Sequence, residues 1–170
     1  MRGMARQIGT CQAVLGALHE HPEISPLFSS ASSQNAFSPV ASQSGADGGI
    51  EGYRATWSAL PRSIERIYVL RDVPHPRSDV IDCLESLGST AARLSPGACS
   101  RPLASALLRD LQVEASRGLE PRLAVIDLSD AFCSRGRCSS VVGHAMVYRH
   151  SHHLTASFAR SLAPDLASSL

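Results

Sequence analysis

Apolar side chains recur along the chain in two different patterns, which predict helices and buried strands in alternation. In residues 10–18, 51–60 and 102–115 they stand three and four positions apart, as on one face of a helix. Residues 66–70 and 122–128 are short continuous apolar runs, the pattern of strands buried on both faces. We also expect strands near 24–28 and 141–148, and a final helix that Thr155 caps and Pro164 kinks or splits.

This alternation predicts an α/β domain whose mostly parallel sheet is covered by helices on both faces. The length of 170 residues fits a single domain over 1–170. Sites in such sheets gather where strands end, so we expect Asp72, Asp127 and the segment around His150 to share one edge. Residues 29–49 are rich in Ser, Ala and Gly without periodicity, which predicts a flexible loop.

The charge balance argues against two classes of partner. Sixteen basic residues, all arginine, oppose fifteen acidic ones, so the formal net charge is +1. The arginines are scattered along the chain, which gives no electrostatic reason to expect nucleic acid or an anionic membrane surface as a partner. We find no apolar run of the roughly 18 residues that a membrane span needs, and no convincing signal peptide.

The cysteines predict disulfide bonds. Their odd number, five, leaves at least one of them free or paired elsewhere. Cys133 and Cys138 enclose a tight loop, and Cys83 and Cys99 flank a stretch that contains Gly, Ser and Pro, so we predict the pairs Cys83–Cys99 and Cys133–Cys138. A zinc site is the alternative, although the spacing lacks paired Cys-x-x-Cys motifs. Reduced cysteines would fit a cytosolic protein.

The densest group of reactive side chains is the sequence Tyr-Arg-His-Ser-His-His-Leu-Thr at residues 148–155. A histidine in such a loop can act as a general base, because its pKa lies near working pH and the loop keeps it accessible. Two alternatives stay open. His150, His152 and His153 could form a metal site, or His153 could simply cap or pack at the entrance of the last helix.

Several segments, in their order and spacing, resemble the SGNH domain of bacterial membrane acyltransferases. The segments are residues 23–30, 53–60, 67–72 followed by Pro74 and Cys83, 125–128, 133–138, 141–143 and 148–155. The family typically ends in a Tyr, an Asp-x-x-His block and then Leu-Ser or Leu-Thr at the start of a helix. The matching residues here are Tyr148, His150, His153, Leu154 and Thr155.

The resemblance implies a three-layer, flavodoxin-like α/β/α sheet outside the cytoplasm, joined to a membrane acyltransferase module. It implies O-acyl transfer, or esterase chemistry, on the hydroxyls of a cell-wall or surface glycan, without a cofactor. In the family a serine of a Gly-Asp-Ser-His motif is acylated, the histidine of the Asp-x-x-His block activates it, and the aspartate orients that histidine. By this resemblance the catalytic candidates are His153 as the base and His150 at the position of the acid.

The sequence departs from the family pattern in two ways. No Gly-Asp-Ser-His motif occurs, so we expect the chain to begin after the nucleophile and to lack the first strand, which would expose an apolar slot in the sheet. His150 replaces the aspartate and cannot supply its negative charge. Asn35 is a candidate for the family's oxyanion asparagine.

The sequence thus favours a truncated, degenerate domain with little activity of its own. The alternatives are a binding or interaction domain that has lost catalysis, and a metal protein that uses the histidine cluster.

Overall fold

The computed structural model describes residues 12–33, 45–94, 97–150 and 153–170. The chain forms two compact units, each built from two separate stretches of sequence. The first unit contains the described residues up to Leu70 and those of Asp110–Val125, and the second contains those of Arg71–Arg109 and Ile126–Leu170. None of the helices in these ranges is long and apolar enough to cross a membrane.

A parallel sheet organises the first unit. Its strands are β1 (Leu27–Ser30), β2 (Ile67–Leu70) and β4 (Leu123–Ile126), in the order β1-β2-β4. β1 pairs in parallel with β2, from Leu27 opposite Ile67 to Ser30 opposite Leu70. The expected α/β class with a parallel sheet is therefore present. The apolar slot predicted for a missing strand does not lie between these strands, because β1 hydrogen-bonds directly to β2.

Helices pack against this sheet and bury part of its apolar surface, whereas Phe28 and Val125 stay exposed. Helix α1 covers residues 12–20, α2 spans Gly45–Ser58 and α5 spans Leu111–Ser116. Among the described residues, one buried apolar cluster of the unit comprises Leu18, Trp57, Leu60, Ile64, Ile67, Val69, Ala115 and Leu123. α2 and α5 approach closely at Gly49, where an added Cβ would lie 2.8 Å from Leu111 Cδ1. Trp57 is a core residue, as its helical spacing predicts, and its ring stacks on Tyr53.

The second unit has shorter elements and its own core. It contains helix α3 (Val80–Leu94), β3 (Arg101–Pro102), α4 (Leu103–Ala106), β5 (Cys133–Ser134), β6 (Arg137–Cys138), β7 (Val141–Val142), β8 (Ala145–Met146), α6 (Ala156–Ser161) and α7 (Ala163–Ser168). A small antiparallel sheet has the order β3-β6-β5, and β7 pairs with β8. The buried cluster includes Val80, Phe132, Val147, Tyr148 and Phe158.

Both predicted disulfides are present in the second unit. Cys83 of α3 is bonded to Cys99, which precedes β3, with the Cα atoms 5.9 Å apart. Cys133 of β5 is bonded to Cys138 of β6, its direct partner across the strand pair. The four cysteines therefore serve as cross-links and not as zinc ligands.

Two predicted elements have a different structure. The helix expected over 102–115 is divided into α4 and α5, because Leu107 is extended and Asp110 starts a new helix by accepting from Gln112 N and Val113 N. The strand expected over 141–148 is an antiparallel hairpin, because Gly143 turns the chain with φ 59°.

The ends of other elements can be compared with the predicted ones. The first strand lies at Leu27–Ser30 instead of 24–28, and Pro164 stands at the start of α7, which separates it from α6. α3 was not predicted. The loop expected over 29–49 ends in regular structure, since β1 includes residues 29–30 and α2 begins at Gly45. Its residues 34–44 lie outside the described residues, so its flexibility stays a prediction.

Candidate functional site

The segment that carries the predicted base folds back on itself in the second unit. Tyr148 and Leu154 form an isolated antiparallel bridge, and Arg149 N donates to His153 O at 2.8 Å. The rings of His150 and His153 meet edge to face, with their centroids 4.4 Å apart. The structure therefore brings the two predicted catalytic residues together. His153 is exposed and His150 is half-buried.

The residues on either side of these histidines are structural. Thr155 begins α6, because its hydroxyl accepts from Phe158 N at 3.3 Å and donates to Met146 O. Tyr148 is fully buried, and its hydroxyl donates to Pro74 O at 2.6 Å. Burial raises the pKa of Tyr148 well above its ordinary value, so the phenol stays protonated. Tyr148 thus anchors the histidine segment to the loop that follows β2.

That loop holds a carboxylate–imidazole pair that the sequence pattern did not predict. His75 Nε2 lies 2.9 Å from Asp72 Oδ2, and both side chains are mostly buried. The other carboxylate oxygen of Asp72 accepts from Val73 N at 2.9 Å, and His75 N donates to Ala106 O at 2.8 Å. The signal in the sequence was the Asp-x-x-His spacing directly after a buried strand.

Asp127, the other predicted strand-end carboxylate, is held by hydrogen bonds and one ion pair. It accepts from Ser129 N and from the Ser129 hydroxyl, and its Oδ2 lies 2.9 Å from Arg71 Nη1. Partial burial acts to raise the pKa of Asp127, but the hydrogen bonds from Ser129 and the charge of Arg71 outweigh it. The pKa therefore lies below its ordinary value, and Asp127 is ionised at neutral pH.

The predicted shared edge is present in part. Asp72 and Asp127 follow β2 and β4, which are neighbours in the sheet. The hydrogen bond from Tyr148 to Pro74 links the loop after β2 to the histidine segment. Asp72 binds His75, however, and Asp127 binds Arg71 and Ser129, so each carboxylate has a partner of its own.

Two predicted groups fall wholly or partly outside the described residues. His152 of the metal alternative and Asn35, the oxyanion candidate, are not among them. Within the described ranges, no group of three or more His, Cys, Asp or Glu side chains is placed to hold a metal ion. The site that can be described is therefore the pair His150 and His153 beside the loop that Tyr148 anchors.

Comparison with known proteins identifies the family. A family model described as SGNH domain (fused to AT3 domains) matches residues 4–168. No curated protein and no solved structure matches the chain. The family match covers almost all of the sequence, including β1, β2, β4 and the histidine segment. The chain therefore belongs to the family of SGNH domains that are fused to AT3 domains.

Proposed function

We propose that this chain serves O-acyl transfer to hydroxyl groups of bacterial cell-wall or surface glycans, on the extracytoplasmic side of the membrane. The observation that carries the proposal is the family match over residues 4–168. The fusion to AT3 domains that characterises the family supports a membrane acyltransferase module as the partner. A three-layer, flavodoxin-like arrangement of the whole domain belongs to the same proposal, and the parallel order β1-β2-β4 supports it.

In this proposal His153 is the base, and His150 occupies the place of the residue that orients it. The edge-to-face contact of the two rings supports these roles, because one imidazole then restricts the rotation of the other. A neutral imidazole at position 150 cannot stabilise a protonated His153 as a carboxylate does. Since Gly-Asp-Ser-His is also absent from the 170 residues, we expect the chain alone to turn over slowly.

The first test is genetic, because it measures the glycan product and needs no assumption about the acyl donor. The coding sequence is deleted in the host, and the ester-linked acyl groups released from wall and surface glycans by mild alkali are quantified. Because turnover is expected to be slow, we expect one glycan fraction to lose a measurable part of its esters and to regain that part when the wild-type chain is restored. An unchanged ester content in every fraction would contradict the proposal.

Complementation with variants then tests the roles of the histidines. His153→Ala is expected to restore no more than about a tenth of the esters, since a general base contributes at least about a hundredfold to rate. His144→Ala is the matched control, because His144 is an exposed histidine in the β7–β8 turn. His150→Asp restores the family's carboxylate and is expected to raise the ester content. Full restoration by His153→Ala would instead indicate an interaction domain without catalysis.

A further inference from the structure

The second unit contains a shallow, open polar cleft of about 550 Å³ that the proposed reaction does not use. It is lined by Arg77, Ser78, Asp79 and Arg101. Two cationic side chains thus face one carboxylate, so the lining carries one positive charge in excess. A polar cleft with a positive lining favours an anionic ligand.

Arg101 supplies the excess charge and is held in a fixed position. Its Nη1 donates to Pro76 O at 2.9 Å, and its Nε donates to Ser105 Oγ at 3.3 Å. Both acceptors are neutral, and no carboxylate in the described part of the chain forms an ion pair with Arg101. Arg101 lies in β3, whose pairing with β6 and whose neighbouring disulfide at Cys99 hold its backbone in place.

Arg77 is oriented by a carboxylate on the same loop. Its Nε and Nη2 donate to the two oxygens of Asp79 at 2.9 and 2.7 Å. These bonds lower the pKa of Asp79, so Asp79 is ionised at neutral pH and cancels one positive charge. About half of each side chain is exposed, at 48% for Arg77 and 49% for Asp79, so solvent and ligands reach the pair.

We propose that this cleft binds an oxyanion, either a carboxylate or a phosphate group, carried by the glycan that is acylated. A guanidinium is planar and matches both groups with parallel hydrogen bonds, and the Ser78 hydroxyl adds a further donor. Arg101 is already ordered by neutral acceptors, so binding costs little of its side-chain entropy. That the anion belongs to a glycan rests on the proposed function, whereas the anion site itself rests only on the cleft.

Calorimetric titration of the full chain at low ionic strength tests the proposal with three probes of similar kind. Trigalacturonate carries carboxylates, glucose 1-phosphate carries a phosphate, and maltotriose is neutral. We expect one or both anionic probes to bind and maltotriose not to bind, and the preferred anion identifies the source of the charge. Added salt should weaken the binding because it screens charges. Equal binding of neutral and anionic probes, or binding of none, would overturn the proposal.

Two variants of the Arg77–Asp79 loop should change the Kd of the anionic probe in opposite directions. Arg77→Gln should raise Kd about fivefold, since an exposed charge pair contributes up to about 1 kcal/mol. Asp79→Asn should lower Kd about threefold, because it removes the competing carboxylate. Arg62→Gln is the matched control, since Arg62 is exposed and lies in the first unit. If Arg62→Gln weakens binding as much as Arg77→Gln, the ligand responds to overall charge and the cleft is not its site.

The failure of this proposal can be told apart from that of the proposed function. Arg101→Lys keeps the positive charge but removes the planar guanidinium, so its Kd measures what the parallel hydrogen bonds contribute. Circular dichroism checks that this variant folds. Binding is measured without any acyl transfer. If the deletion strain keeps its glycan esters and the anionic probe still binds in an Arg77-dependent way, the acyl-transfer role is contradicted and the anion site is not. Loss of esters without Arg77-dependent binding would overturn the anion site alone.

Discussion

Single arginine side chains stabilise several loops by donating to backbone carbonyls. Arg122 donates to the carbonyls of Leu60, Pro61 and Ile64, and Arg54 donates to two carbonyls at the end of α5. Carbonyls at helix ends and in loops have no partner within their own element, and a guanidinium with five donors can bind more than one of them. These two scattered arginines thus have a structural use in the first unit.

Tyr148 makes a fully buried contact with a backbone carbonyl, and the removal of its hydroxyl gives a prediction. Tyr148→Phe leaves Pro74 O without its hydrogen bond, which should lower the free energy of unfolding by about 1–2 kcal/mol. Urea denaturation of both proteins at pH 7 measures the difference. An unchanged slope of the transition shows that the two denatured states expose the same surface. Equal midpoints for the two proteins would contradict the prediction.

The same residue predicts how stability depends on pH. Burial raises the pKa of Tyr148 in the folded protein above the ordinary 10.0, so its contribution is complete below pH 10. As the pH rises further, the unfolded chain loses the tyrosine proton while the folded protein keeps it, and stability should fall. Tyr148→Phe should reduce this fall. Part of the fall should remain in the variant, because burial also raises the pKa of Tyr53.

At the scale of elements, strong apolar patterns were predictable and short elements were not. The runs at 66–70 and 122–128 contain β2 and β4, but only β2 is buried as predicted. In β4 the ends are buried and Val125 is 43% exposed, so the prediction of a strand buried on both faces is wrong there. The break between α4 and α5 was missed, since leucines continue at helical spacing through Leu107 and Leu111. The competing signal was Asp110, which caps a helix better than it continues one.

The cap of α5 therefore gives a prediction for that element. Asp110→Ala removes the acceptor of Gln112 N and Val113 N and should lower the free energy of unfolding by about 1 kcal/mol. Asp110→Asn is the control, because asparagine caps helices about as well as aspartate does. Thermal denaturation at equal protein concentration compares the three proteins. Equal losses in both variants would show that the charge of Asp110 matters and the cap does not.

At the scale of the whole molecule, two disulfides cross-link the second unit. The chain-entropy model gives about 3 kcal/mol for Cys83–Cys99, which joins residues 16 apart, and about 2 kcal/mol for Cys133–Cys138, which joins residues 5 apart. Replacing Cys83 and Cys99 by serine should lower the free energy of unfolding more than replacing Cys133 and Cys138 does. Reducing both disulfides should lower it further than either replacement. Urea denaturation measures each loss, with Cys11→Ser as the control. Identical curves with and without reductant would contradict this.

The candidate site was only partly predictable from the sequence. The proximity of His150 and His153 follows from local spacing and from the family pattern. The Asp72–His75 pair and the cleft at Arg77 and Arg101 depend on how distant segments fold together, as when Ala106 O fixes the backbone of His75. No periodicity in a single sequence carries that information, so these features required the structure.

The division of each unit between two stretches of sequence has a consequence for the nascent chain. β4 completes the first unit's sheet, yet it follows β2 by more than fifty residues, most of which belong to the second unit. Because domains fold during synthesis only once their segments have left the ribosome, residues 71–109 emerge while both units are still incomplete. The apolar positions of β2 and α3 therefore stay without their packing partners until β4 and the last helices have been synthesised.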